Sequence, residues 1–210
     1  MDIPQHVLDK IFHHIDEDEI ALRAQQPGPL RLLFVGNLIP RKGLHILLEA
    51  IRRLPDHACT LTVVGSMQAD PAYARRIQRQ AAASQLEGRV HFCGTVTGAV
   101  LANWLRDSHV LCVPSSYEGF GIVYLEGMGF GLPAIATTAG GAGEIITHDQ
   151  DGFLVPPEDA GVLAERLASL HNDRRRLLEM SLAARQRYLA HPTWEQTGER
   201  IRNFILTLLG

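Results

Sequence analysis

Short apolar runs that stop at a glycine or a proline recur along this chain, and stretches with helical spacing separate them. Leu30–Val35 (LRLLFV) stops at Gly36, Leu61–Val64 at Gly65, and Val90–Phe92 just before Gly94. Val110–Val113 runs into Pro114-Ser115-Ser116, Ala134–Ala136 into Thr137, and Phe153–Val155 is a sixth run. Between them, Leu44–Leu54 places Leu44, Leu47, Leu48 and Ile51 on one helical face. Ala72–Gln85, Val100–Arg106 and Ile122–Phe130 read as further helices. The runs are apolar at nearly every position instead of alternating. Strands buried on both faces look like this, because helices cover both sides of a parallel sheet. The pattern predicts an α/β fold with a doubly wound parallel sheet. Ligands of such sheets sit at the carboxyl ends of the strands. Gly36, Gly65, Gly94, Pro114 and Thr137 therefore mark where functional residues should follow.

The flanks are helical. Residues 4–26 are polar and end at Gln26-Pro27-Gly28-Pro29, whose prolines and glycine mark a boundary. Asp159–Leu209 reads as three helices that pack for stability. One presents Val162, Leu163, Leu167 and Leu170, a second Leu177, Leu178, Leu182 and Tyr188, and a third Trp194, Ile201, Ile205 and Leu208. The expected division is an N-terminal helical segment or linker (1–29), an α/β domain (30–190) and a C-terminal helix (191–210).

Composition narrows the class. The 210 residues suit one large domain or two small ones. A hydrophobic share of 46% supplies a core and excludes a disordered chain. Lys and Arg (20) nearly balance Asp and Glu (23), so no basic footprint for nucleic acid is visible. No run of about 18 apolar residues is present to span a bilayer, and the acidic N-terminus has no secretory apolar stretch. Cys59, Cys93 and Cys112 are odd in number and far apart. They read as buried reduced thiols, with a cytoplasmic location as the expectation. A structural zinc site would need closer spacing.

The common nucleotide motifs are absent: there is no Gly-x-x-x-x-Gly-Lys-Ser/Thr loop, and no Gly-x-Gly-x-x-Gly after the first strand. Asp16-Glu17-Asp18 matches an Asp-x-Asp metal signature only superficially, since it lies in a polar helical segment. Three strand ends carry chemistry. After the first, Gly36-Asn37-Leu38-Ile39-Pro40-Arg41-Lys42-Gly43 places two cations in a glycine-bounded loop that can meet a phosphate, although an Arg-Lys pair also suits a solvated turn. After the fourth, Tyr117-Glu118-Gly119-Phe120-Gly121-Ile122 leads into a helix whose free N–H groups can face a diphosphate. Glu126 follows one turn into that helix, so Glu118 and Glu126 address different parts of one ligand. A capping Glu118 and a buried or salt-bridged Glu126 are the plainer alternative. After the fifth strand, Thr137-Thr138-Ala139-Gly140-Gly141-Ala142-Gly143-Glu144 brings further glycine-backed amides to the same edge.

Taken together, residues 30–190 resemble the C-terminal domain of the glycosyltransferase group 1 family, the retaining enzymes of GT-B fold. The resemblance rests on Gly36…Lys42-Gly43, Gly94-x-Val96, Glu118-x7-Glu126 with its internal Gly-Phe-Gly, and Gly140-Gly141-x-x-Glu144 followed by Gly152-Phe153-Leu154-Val155-Pro156. It implies one of two facing Rossmann-like domains, the one that binds a nucleotide-diphosphate sugar. It assigns Gly36, Asn37, Arg41, Lys42, Val96, Glu118, Phe120, Gly121, Ile122 and Glu126 to the donor, with Lys42 on the diphosphate and Glu118 on the sugar, the two as catalytic residues. Glu126 takes the ribose hydroxyls, and backbone near Val96 flanks the base. No metal and no cofactor are expected, because cations and helix amides meet the leaving diphosphate. Two departures stand out. Asn37 occupies a place where the family often has Arg, so Arg41 is the candidate replacement. The acceptor-binding domain is also missing, which suits a domain excised from a longer enzyme or a natural half, inactive alone. Thr193–Leu208 then suits the helix that crosses back to that domain. The acceptor, glycan or lipid, is open, and peripheral membrane attachment would come through the absent domain. A non-catalytic nucleotide-sugar-binding module and an epimerase of the same fold are the alternatives.

Overall fold

The computed structural model describes residues 15–82, 85–192 and 194–209, so the first part of the expected helix at 4–26 lies outside the described residues. In chain order the strands are β1 (Leu30–Val35), β2 (Cys59–Val64), β3 (Val90–Gly94), β4 (Val110–Cys112), β5 (Ala134–Thr137) and β6 (Gly152–Val155). The helices are α1 (Glu17–Gln25), α2 (Leu44–Arg52), α3 (Pro71–Ala81), α4 (Ala99–Asp107), α5 (Ile122–Gly129), α6 (Ala142–Ile145), α7 (Ala160–Asn172), α8 (Arg174–Ala190) and α9 (Trp194–Leu209). A 3-10 turn, Pro40–Lys42, precedes α2.

Helix starts follow from local chemistry. Asp16, Asp70, Asp159 and Asp173 each accept a backbone N–H from the first turn of α1, α3, α7 and α8. A side-chain oxygen there satisfies a donor that the helix leaves orphaned. Asp16 is therefore a cap, and Asp16-Glu17-Asp18 is the acidic first turn of α1.

The six strands form one parallel sheet in the order β3-β2-β1-β4-β5-β6. Neighbours are parallel throughout, with Leu30 opposite Cys59 and Leu32 opposite Val110. β4 and β5 are buried at every position, as their uninterrupted apolar runs require. On one side α2 packs against α3 and α7; on the other α5 packs against α6 and α8, and α8 against α1. The chain winds outward from β1 to the edge strand β3, then crosses to β4 beside β1. The loops after β1 and β4 thus part at the switch point of the sheet, where such folds bind ligands.

α1 joins this body through Arg23, whose buried guanidinium donates to the carbonyls of Arg106, Phe130 and Gly131 at 2.8–3.1 Å. Burial lowers its pKa to about 10. His109, also buried, accepts the Arg31 N–H at Nδ1 and so carries its proton on Nε2, which donates to the Arg23 carbonyl. Cys59 and Cys112 are buried free thiols, and Cys93, on the edge strand, is half-buried. Burial pushes the Cys59 thiol up to about 12.

One expectation is corrected. The third tail helix does not bury its apolar face: Ile201, Phe204, Ile205 and Leu206 on α9 are 48–64% exposed. The side chains of Trp194 and Leu208 lie outside those described. α7 and α8 do pack, through Leu163, Leu167, Leu170 and Leu177. Among the described residues no helix is long and apolar enough to cross a membrane.

Candidate functional site

Three loops meet at the carboxyl edge of the sheet because glycines let their backbones touch. Gly43, at φ 70°, lies so close to Pro114 that a Cβ would stand 2.0 Å from its carbonyl oxygen. Only glycine fits a left-handed conformation at such a distance. Ser116 N–H donates to the Arg41 carbonyl at 2.8 Å, and Arg41 Nη1 returns a bond of 2.7 Å to the Tyr117 carbonyl. The β1 and β4 loops are thereby stitched together. On the other flank Gly141 N–H donates to the Glu118 carbonyl at 2.8 Å. A Cβ on Gly140 would lie 2.1 Å from that same oxygen.

Glu118 stands at the centre. Lys42 Nζ donates to its Oε2 at 2.6 Å, Ser115 Oγ at 3.1 Å, and Arg41 Nη1 lies 3.8 Å away. The Lys42 and Glu118 side chains are only 14% and 13% exposed, whereas Arg41 is 45% exposed. A charge-assisted bond shielded from water is among the stronger polar contacts in a protein. Gly121, at φ 85°, begins α5 without a side-chain cap. The first amides of that helix thus have no side-chain cap, and a Cβ on Gly121 would lie 3.4 Å from the Glu118 side chain. Gly119 needs no glycine for space, since nothing lies within 4 Å of a Cβ placed there.

Glu126, one turn into α5, is half-buried. Among the described residues no side chain bonds or ion-pairs with it, and burial raises its carboxyl pKa. Of the two plainer readings of Glu126, the salt bridge is not found among the described residues, and partial burial is. Asn37 is exposed and its carbonyl accepts the Ile39 N–H. Gly36 lies against the Lys42 side chain. Val96 follows β3 and packs half-buried on the core. Phe120 and Ile122 are exposed at the rim.

Three supporting residues escape the sequence reading. Ser115 is buried and bonds Glu118. Thr137 Oγ1 donates to the Ser115 carbonyl at 2.5 Å, and Tyr124 OH donates to the Val113 carbonyl at 2.8 Å. The only signal for the first two is their place at strand ends. Burial, with the Glu118 charge second, raises the Tyr124 phenol. Among the described residues no three His, Cys, Asp or Glu gather to hold a metal. A cleft of about 530 Å³ bounded by Arg23, Arg31, Trp104 and Arg106 lies at the opposite, amino edge of the sheet.

A family model described as glycosyl transferases group 1 matches residues 16–187. The chain belongs to this family. The match spans every residue of the site and ends before α9. The D-inositol 3-phosphate glycosyltransferase of Pseudarthrobacter chlorophenolicus is 32% identical over 162 residues, covering 75% of this chain and 38% of that protein. The sucrose-phosphate synthase of Thermosynechococcus elongatus is 31% identical with a TM-score of 0.77, over 94% of this chain and 51% of the other. Anabaena HepE, solved in complex with UDP and glucose, is 25% identical with a TM-score of 0.79, over 92% of this chain and 53% of the other. As a group 1 member the chain spans about two fifths of the length of the curated relatives it matches. The Rossmann-like sheet expected from the motifs is the observed fold.

Proposed function

We propose that the chain is the donor-binding half of a retaining glycosyltransferase, which moves a sugar from a nucleotide-diphosphate sugar to an acceptor. The observation that supports this most is the convergence of Lys42, Glu118 and the uncapped start of α5 at the β1–β4 switch point. Lys42, with Arg41 in place of a cation at Asn37, meets the diphosphate. The amides of Phe120, Gly121 and Ile122 add partial positive charge. Glu126 accepts the ribose hydroxyls, backbone near Gly36 and Val96 flanks the nucleotide, and Glu118 reaches the hexose. When the bond from the anomeric carbon to the diphosphate breaks, its electron pair stays on the diphosphate. Lys42 and Arg41 stabilise that charge where it develops, with no metal or other cofactor in the scheme. Preorganised electrostatics of this kind is usually the largest catalytic contribution. Residues 30–190 form the donor domain, and α9 is the helix that crosses to an acceptor-binding domain. The acceptor is a glycan or a lipid. The UDP complex of HepE supports the ligand class.

A thermal-shift screen against UDP-, GDP- and ADP-sugars tests this reading. At about 100 times its Kd a true donor stabilises the chain by about 2.7 kcal/mol. The isolated chain should transfer almost no sugar to any acceptor, because nothing positions the acceptor. Stabilisation by none of the three, or efficient transfer by these residues alone, contradicts the proposal.

A further inference from the structure

The Glu118 carboxylate rests in a place built for an anion. One oxygen, Oε2, takes Lys42 Nζ at 2.6 Å and Ser115 Oγ at 3.1 Å, with Arg41 Nη1 at 3.8 Å. Two cations and a hydroxyl around one oxygen are the donors that a phosphoryl oxygen also needs. Both cannot use Lys42 at once without setting like charges side by side. We propose that Glu118 is a built-in competitor for the diphosphate position: its carboxylate fills the Lys42–Arg41 pocket in the free site and yields it when a nucleotide binds, and so favours a nucleotide sugar over a free nucleoside diphosphate. The inference rests on Lys42 being the diphosphate ligand, as proposed above.

The backbone permits the exchange. Glu118 is fixed through its carbonyl to Gly141 N–H, so only the side chain has to turn. Beside it Gly119 opens onto space free of atoms. Once displaced, the carboxylate gives up its Lys42 contact. A donor sugar offers it hydroxyl hydrogens. A bare nucleoside diphosphate has no hydroxyls beyond its terminal phosphate and carries one more negative charge there. The substrate therefore compensates the displaced carboxylate and the product does not, which aids product release.

Calorimetric titration with inorganic pyrophosphate tests this without knowledge of the base. The intact chain is compared with Glu118→Gln, Lys42→Met and the double variant. Glu118→Gln, similar in shape but uncharged, should bind pyrophosphate about tenfold more tightly, the scale of one charge-assisted hydrogen bond no longer contested. Glu118→Ala should shift affinity in the same direction, which guards against a bond retained by the glutamine. The gain should vanish in the Lys42→Met background. Equal or weaker binding by both Glu118 variants, with Lys42→Met still losing affinity, overturns the competition and leaves the diphosphate site standing. A gain that survives in the double variant also overturns it. Pyrophosphate binding by none of the forms sinks the diphosphate site itself.

Discussion

Lys42 and Glu118 are 76 positions apart, yet their charged atoms meet at 2.6 Å with little exposure to water. Such a pair is held by the loops around it, so removing the cation should act on ligand charge. Lys42→Ala is expected to weaken a nucleoside diphosphate ten- to a hundredfold, a charge-assisted bond being worth about 1.5–3 kcal/mol. The matching nucleoside should bind as before. Calorimetry that finds equal losses for the two would remove Lys42 from the phosphate site. His109 carries a second residue-scale prediction. Its burial, first, and the charges of Arg31 and Arg174 lower its pKa from 6.5 to about 3. The unfolded chain takes up a proton between these values and the folded chain does not. Stability is therefore lost as pH falls below 6.5, by about 1 kcal/mol from pH 7 to 5.5. Urea unfolding at the two pH values should show this loss in the native chain and not in His109→Asn. An equal loss in both would assign it elsewhere.

At the scale of elements, the legible features were those that repeat locally. β4 and β5 show as apolar runs because they are covered on both faces, whereas the edge strand β3 is only half-buried despite a similar run. α2 shows because Leu44, Leu47, Leu48 and Ile51 share a buried side. The 3-10 turn Pro40–Lys42 and the four-residue α6 were not foreseen as regular elements. Each is too short for a periodicity. α9 has the same pattern as a packed helix, and only its environment shows that Phe204 and Ile205 are exposed. Within the site, Lys42, Glu118 and Glu126 were visible as residues in spaced motifs. Ser115, Thr137 and Tyr124 were not, since a hydroxyl that bonds a distant loop leaves no local pattern. The glycines give an element-scale test. Gly43→Ala adds the left-handed penalty of about 1–2 kcal/mol to a collision with the Pro114 carbonyl. Gly88→Ala, at φ 73° with open space around it, carries the conformational penalty alone. Thermal unfolding should place Gly43→Ala well below Gly88→Ala, with donor binding lost only in the former. Similar melting and binding would mean the two loops can separate freely.

For the whole molecule, the sheet order β3-β2-β1-β4-β5-β6 sets what the loops can do together. The crossover from β3 to β4 parts the loops after β1 and β4, so the cations of one meet the carboxylate and helix start of the other. Glu126 lies one turn further into the same helix, half-buried and, among the described residues, unpaired, with its carboxyl raised by desolvation. On the function proposed above, a bound molecule lies in order along this edge: sugar at Glu118, diphosphate at Lys42, ribose at Glu126. Calorimetry with the preferred nucleoside diphosphate and its 2′-deoxy analogue, on the native chain and on Glu126→Ala, tests this order most directly. The account predicts that the native chain prefers the ribose form and that Glu126→Ala weakens that form far more, closing most of the gap. An unchanged ribose preference in Glu126→Ala would contradict it.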